Sequence, residues 1–174
     1  MEDPNIQVWC EDEVHFGRYS TLIRTWAPKG KQPQVISAST RQHVGFFGVV
    51  NVKSGQLMTR ESKVFNETNF MSFVRYLLSQ VKGRIYLVLD NARWHTSKEL
   101  KSLMSKHRRK FVCVYLPPYS PKLNPIERVW KMIRSKVTHN RYFASVKELA
   151  NALMTHFLQL MYPNETLKSL FANI

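Results

Sequence analysis

The sequence predicts a mixed α/β fold, with an antiparallel meander and parallel strands sharing one sheet flanked by helices. Three observations point to it. The first third of the chain holds β-prone runs separated by turn residues. From about residue 67 onward, apolar residues recur instead at helical spacing. Between those helical segments lie two short runs, 85–89 and 111–115, that are apolar throughout, as strands buried on both faces are.

Taken in order, Ile6–Cys10 is a short strand that runs into Glu11-Asp12-Glu13, so that Asp12 leaves its end. Leu22–Trp26 is the expected antiparallel partner, followed by the turn residues Ala27-Pro28-Lys29-Gly30. Val44–Val52 is the next strand, and Ser54-Gly55 turns it into Gln56–Arg60. Phe70, Phe73, Val74, Leu77, Leu78 and Val81 lie on one face of a helix over 67–81, which Gly83 ends. Ile85–Leu89 follows as a buried strand. Thr96-Ser97-Lys98-Glu99 matches a capping box and opens a helix burying Leu100, Leu103, Met104 and His107. Phe111–Tyr115 completes a β-α-β unit, for which a right-handed crossover is expected. Pro117-Pro118-Tyr119-Ser120-Pro121 is a stiff loop. Asn124 caps and Pro125 begins a helix whose core face is Ile126, Val129, Trp130, Ile133 and Val137. A second capping box, Ser145–Glu148, opens a last long helix to about Leu160.

The 174 residues suffice for one well-buried core, so a single domain over 1–174 is expected. Lys and Arg number 26 against 12 acidic residues, a formal charge of +14 that favours a polyanionic partner. Nucleic acid comes first and an acidic membrane surface second. No apolar run is long enough to span a bilayer, and the acidic, polar start is unlike a signal peptide. Two cysteines, Cys10 and Cys113, are too few for a disulfide framework or a Cys-rich zinc site, and both sit in apolar runs. Buried free thiols in a reducing cytoplasm are expected.

Only three Asp residues occur, and Asp3 lies in the terminal segment. Asp12 and Asp90 each follow a strand, where open α/β sheets collect ligands. Two such carboxylates in neighbouring strands make a hard oxygen site suited to Mg²⁺ or Mn²⁺, and Glu127 can supply a third donor. Each has a plainer role open to it. Asp90 at a strand end would ordinarily cap the next helix, but Thr96 already does so. Asp12 fits an exposed acidic turn equally well. Glu127 fits a helix cap, or a pair with Lys131 one turn on.

The block Leu87-Val88-Leu89-Asp90-Asn91-Ala92-Arg93-Trp94-His95 resembles the second-aspartate motif of the Tc/mariner superfamily of transposases, and more closely the prokaryotic insertion-sequence members. Leu116-Pro117-Pro118-Tyr119-Ser120-Pro121-Lys122-Leu123-Asn124-Pro125-Ile126-Glu127-Arg128-Val129-Trp130 resembles their third motif almost residue for residue. Asp12-Glu13, then Trp26 and Gly30, is similar to their first-aspartate segment, and 36 residues separate Asp90 from Glu127 as in that family. The resemblance implies a ribonuclease-H-like mixed sheet. It also implies that Asp12, Asp90 and Glu127 are catalytic ligands for two Mg²⁺ ions, with Mn²⁺ as a substitute. The implied activity is cleavage at the ends of a mobile element and transfer of the freed 3′ ends into target DNA, at TA dinucleotides. The rival readings are another ribonuclease-H-like nuclease and a non-catalytic DNA-binding remnant.

Asn91 and His95 are placed as supporting residues that orient a metal ligand or contact a phosphate, and Asn124 as a cap that positions Glu127. Arg93, Trp94, Lys122, Arg128, Lys131 and Arg134 are the residues expected to meet DNA, with Trp94 the best placed to stack on a base. Lys136 belongs with the basic cluster near Glu127. The run Lys106–Lys110 is assigned instead to an ordinary exposed helix end. The family usually carries an N-terminal helix-turn-helix region for which nothing before Asp12 has room, so a separately encoded DNA-binding half is one expectation. A homodimer on paired ends and a nucleoid-associated, cytoplasmic location follow from the same resemblance.

Overall fold

The computed structural model of this chain describes residues 5–118 and 120–172, so Asp3 and Tyr119 lie outside the described residues. Strand β1 (Ile6–Gly17) is central to a five-stranded sheet. It pairs antiparallel with β2 (His43–Asn51), which turns back into β3 (Leu57–Glu61). On its other side β1 pairs parallel with β4 (Arg84–Leu89), which pairs parallel with β5 (Phe111–Tyr115). The sheet order is β3-β2-β1-β4-β5, the mixed antiparallel-plus-parallel arrangement expected.

Alternation along the strands builds one core on each face of this sheet. Cys10, Val14 and Phe16 of β1 pack under α3 (Ile126–Ile133), α4 (Val146–Gln159) and α5 (Glu165–Phe171). Trp9 of β1, with Phe47 and Val49 of β2, packs under α1 (Glu67–Gln80) and α2 (Lys98–Lys106). The helix faces are those the spacing predicts: Ile126, Val129, Trp130, Ile133 and Val137 are all buried, as are Phe70, Phe73, Val74, Leu77 and Val81. Ser145 caps α4 by accepting from the Glu148 backbone N–H, while the Glu148 carboxylate takes the Ala144 N–H. Both cysteines are buried free thiols, each pushed up to about 12 by burial. No helix is long and apolar enough to cross a membrane among the described residues.

Five local expectations are corrected. Leu22–Trp26 is not a strand; the antiparallel partner of β1 is β2, and Leu22, Ile23 and Trp26 are exposed. The backbone there is claimed elsewhere: Thr21 bridges to His139, and the Asn140 side chain accepts from the Ile23 N–H and donates to its carbonyl. Asp12 does not leave β1 but sits in its middle, because the strand continues through the acidic triplet to Gly17. The cap of α2 is Ser97, accepting from the Leu100 N–H, whereas Thr96 ends a 3₁₀ turn and donates to the Arg93 carbonyl. Of the face assigned to α2 only Leu100 is fully buried; Leu103, Met104 and His107 are half-buried. The Asn124 side chain does not cap α3 but donates 2.8 Å across to the Glu11 carbonyl on β1. A short helix unanticipated from the sequence, α5, closes the first core behind its cap Asn164.

Gly48 of β2 lies opposite Asp12 in the ladder, and a Cβ there would run into the Trp130 indole. Gly48→Ala is therefore expected to destabilise the fold by about 1–3 kcal/mol through overpacking. Urea unfolding of the purified variant measures this, and unchanged stability would show that the Trp130 packing yields at no cost.

Candidate active site

The β1–β4 ladder ends at the pair Cys10–Val88, so Asp12 and Asp90 both stand two residues beyond it, at the same level of the sheet. β1 is still paired to β2 at that point, while β4 has ended, and this opens a cleft beside Asp12. The cleft, about 390 Å³, is lined by Asp12, Asp90, Asn91, Asn124 and Glu127, with Leu116 and Pro117 from the end of β5. Glu127 reaches it from the first turn of α3. The structure thus brings the three carboxylates singled out from the sequence into one cavity. No ion pair joins Glu127 to Lys131 among the described residues, so the plainer role weighed for Glu127 is not seen.

Each carboxylate has a distinct environment. Asp12 is half-buried and takes the Trp130 indole N–H on Oδ2 at 3.0 Å. Burial, then the charges of Glu127 and Glu13, push its carboxyl from 3.8 up to about 7. Asp90 is half-exposed and behaves oppositely. Its Oδ1 accepts from His95 Nδ1 at 2.7 Å and from the Ala92 N–H at 2.8 Å, and the His95 hydrogen bond holds its carboxyl below the usual range. Neither bond uses Oδ2.

Behind Asp90 lies a second polar layer, of which sequence reasoning named His95 as a supporting residue but missed Glu11 and Glu13. Because β1 alternates, Glu11 and Glu13 point to the face opposite Asp12, toward the turn carrying His95 (Arg93–Thr96). His95 is fully buried beneath the Phe70 ring, and its Nε2 lies 3.3 Å from Glu11 Oε2 and 3.4 Å from Glu13 Oε1. Burial alone would depress the imidazolium, but the hydrogen bond to Asp90, Glu13 Oε1 beside Nε2 and the charge of Glu11 outweigh it, and His95 is pushed up to about 10. Glu11 is 1% exposed, and neither of its carboxylate oxygens has a hydrogen-bond donor. Burial first and Glu13 second raise it well above the usual carboxylate range. The period-2 triplet Glu11-Asp12-Glu13 was the available signal, since any strand through it must split the three carboxylates between two faces.

The remaining assigned residues are distributed as follows. Asn91 donates 2.7 Å to the Leu116 carbonyl and ties the β5 end to the cleft wall. Trp94 is half-buried, packs on the α1–α2 core and spends its indole N–H on Glu13 at 2.6 Å. Arg93, Lys122 and Lys131 are exposed. Arg128 is exposed and donates to the Leu170 carbonyl. Arg134, in the π-helical turn (Arg134–Thr138) that extends α3, lies over the Phe16 ring.

The donor chemistry suits a hard divalent cation: three oxygen carboxylates line one cleft, one of them pushed toward protonation by burial and then by its neighbours. This arrangement has a thermal consequence. A carboxyl raised in the folded state stabilises the fold below its unfolded value of 3.8, and that contribution is lost as pH rises through about 7. In chelator, Asp12→Asn is expected to raise the melting temperature at pH 8 by about 5 °C and to change it little at pH 4. In wild type, added Mn²⁺ should raise it more at pH 8 than at pH 5. An Mn²⁺ increment independent of pH, or intact in Asp12→Asn, would place the cation elsewhere.

Comparisons with known proteins agree with this geometry. Residues 7–150 match the family described as DDE superfamily endonuclease. The chain is 26% identical over 158 residues to an insertion element IS630 uncharacterized 39 kDa protein of Shigella sonnei, covering 90% of this chain and 46% of that protein. It is 36% identical over 63 residues to the uncharacterized protein y4pE/y4sA of Sinorhizobium fredii, covering 36% of this chain and 43% of that protein. The chain thus spans less than half the length of these two relatives. Among solved structures, the Mos1 transposase paired-end complex with left transposon end superposes with a TM-score of 0.70 at 13% identity, over 94% of this chain and 52% of that one. The HTLV-2 integrase catalytic core domain in complex with magnesium superposes with a TM-score of 0.57 at 16% identity, over 90% and 85%. These likenesses establish the ribonuclease-H-like fold, and the family match, spanning all of the sheet and its carboxylate cleft, establishes that the chain belongs to the DDE superfamily of endonucleases, as its resemblance to Tc/mariner transposase catalytic domains implies.

Proposed function

We propose that this chain is the metal-dependent catalytic domain of a DNA transposase, in which Asp12, Asp90 and Glu127 would hold Mg²⁺ at the place where DNA is cut and rejoined. The observation that carries the reading is the meeting of these three carboxylates in one cleft of a strongly basic chain. When bound, a pair of divalent cations supplies charge neutralisation at a scissile phosphate and activation of the attacking hydroxyl. The chain's own residues prepare that place. The Trp130 N–H orients Asp12, His95 fixes one oxygen of Asp90, and Asn124 ties the start of α3, and with it Glu127, to β1. None of the three needs to act as a base.

Arg93, Lys122, Lys131 and Arg128 are the exposed cations placed to follow a DNA backbone toward the cleft. Arg134 and Trp94 are held by protein contacts, Arg134 over the Phe16 ring and Trp94 on Glu13, so their part is to support the site rather than to read bases. Recognition of element ends, by a region outside this domain or a separate DNA-binding half, belongs to the same reading. So do transfer into TA sites, a homodimer on paired ends and a nucleoid-associated location in the cytoplasm. The relatives named for an insertion element and for transposon-end complexes support it.

The test is nicking of supercoiled plasmid in Mn²⁺ and joining of a pre-cut 3′ end to a second DNA. Joined products are expected. Nicking without joining would leave a plain nuclease, and DNA binding that is equal in chelator with no cutting would leave a binding remnant.

A further inference from the structure

Two turns meet at the end of the sheet opposite the carboxylate cleft. One joins α1 to β4 and carries Lys82 and Arg84; the other joins α2 to β5 and carries Lys106, Arg108 and Arg109. They are bound to each other: the Ile85 N–H donates 2.7 Å to the Lys110 carbonyl, and Lys110 Nζ donates 2.7 Å to the Leu78 carbonyl at the end of α1. The five cations are exposed, and none forms an ion pair among the described residues. No acidic residue lies in 78–84 or 105–110; the start of β1 also reaches this end, where the Arg84 N–H donates to the Asn5 carbonyl and Gln7 Nε2 to the Lys82 carbonyl. The second turn is concave, a hollow of about 330 Å³ lined by Ser105, Lys106, His107, Arg108, Arg109 and Lys110.

Burying Lys110 against Leu78 and stacking Arg84 over Tyr86 leaves the other cations to concentrate their field in and around that hollow. Lys106–Lys110 is separated from the cleft by the length of β5, six residue steps from Lys110 to Leu116, or about 20 Å at ~3.3 Å per residue. Contacts made here are therefore not contacts to the phosphate being cut.

We propose that this basic end binds the backbone of a second stretch of duplex DNA, separate from the one in the catalytic cleft, without reading its sequence. The proposal rests on the transposase reading, which requires the chain to meet more than one DNA segment. Exposed cations gathered from two turns make an electrostatic footprint of the kind that binds duplex through its phosphates, independent of sequence. The expectation of an ordinary helix end for Lys106–Lys110 gives way because the structure adds Lys82 and Arg84 from a different turn to the same surface.

The experiment measures binding of a short duplex in chelator over a range of salt, for wild type, for Lys106→Ala/Arg108→Ala/Arg109→Ala, and for Lys122→Ala/Lys131→Ala. Circular dichroism checks that each variant folds. At the basic end the first variant is expected to weaken binding at least tenfold near 0.1 M salt and to flatten that site's log–log salt slope by about 2–3, at ~0.9 per lost phosphate contact. Wild type is therefore expected to take up two short duplexes and each variant one, because the two surfaces hold separate segments. An unchanged slope in the first variant, with a loss in the second, overturns the proposal and leaves the transposase reading intact. A wild-type protein that binds no duplex overturns both. Tighter binding of anionic phospholipid vesicles than of duplex, lost in the first variant, overturns it in favour of a membrane surface.

Discussion

Asp90→Asn is expected to abolish Mn²⁺-dependent cleavage, by about 10³-fold or more, while leaving the fold and DNA affinity in place. The side chain is nearly isosteric, so packing does not change. What changes is where its two polar atoms go. His95 Nδ1 donates 2.7 Å to Asp90 Oδ1, as does the Ala92 N–H at 2.8 Å, so the amide oxygen of an Asn takes that position. The amide NH₂ is then turned toward the cleft, where it offers donors and no charge to a cation. Losing a charged ligand removes several kcal/mol of charge stabilisation, and each ~1.4 kcal/mol is a factor of ten in rate. Glu127→Gln should behave alike. Plasmid nicking in Mn²⁺, beside a melting curve and a DNA-binding isotherm, checks all three parts. Cleavage retained by a pure, folded Asp90→Asn protein would remove Asp90 from the metal site and with it the proposed mechanism.

How much of this site was legible in the sequence depends on how local each signal is. Asp90 closes an apolar strand and Glu127 opens an amphipathic helix, so period and capping patterns alone locate both. Their meeting with Asp12 required the sheet order, which the β-α-β spacing and the motif resemblance together supplied. Asp12 was placed at a strand end because the short, largely apolar run Ile6–Cys10 gives way there to Glu11-Asp12-Glu13. In fact β1 continues for five residues beyond, held by β2, which a local window does not contain.

The losses have the same origin. Leu22, Ile23 and Trp26 look like strand residues, yet the backbone of Thr21 and Ile23 in this stretch is committed to residues 139–140, more than a hundred residues away. His95 looks like a loop residue, and its burial depends on Glu11 and Glu13 arriving from another strand. Trp130 was assigned to packing by spacing, correctly, but its N–H bond to Asp12 is set by the groove that Gly48 leaves. Hydrophobic periodicity reports which face of an element is inside. It carries no information about which polar atom meets which across the sheet, and the site is made of such meetings.

His95→Ala is expected to cost about 3 kcal/mol or more in stability, together with a weakened hold on the divalent cation. Among the described residues the imidazole is the one group ion-paired with the carboxylates of Glu11, Glu13 and Asp90, and removing one member of a buried charge network leaves the others uncompensated. It also opens a hole beneath Phe70. The pH dependence gives the sign. A histidine raised from 6.5 to about 10 contributes stability that is fully present below pH 6.5 and is lost as pH rises through about 10. The stability gap between wild type and His95→Ala should therefore be widest below pH 6.5 and narrow steadily toward pH 10, as read by denaturant unfolding in chelator. A hole alone would give a gap constant with pH. In activity, His95→Ala leaves Asp90 Oδ1 held by the Ala92 N–H alone, so the Mn²⁺ concentration for half-maximal nicking should rise more than the saturated rate falls. His95→Gln, which keeps an amide donor within reach of Asp90, should recover part of the metal affinity but not the pH-dependent stability. If the saturated rate collapses while the Mn²⁺ requirement is unchanged, His95 touches the reacting DNA itself, and its role behind Asp90 must be given up.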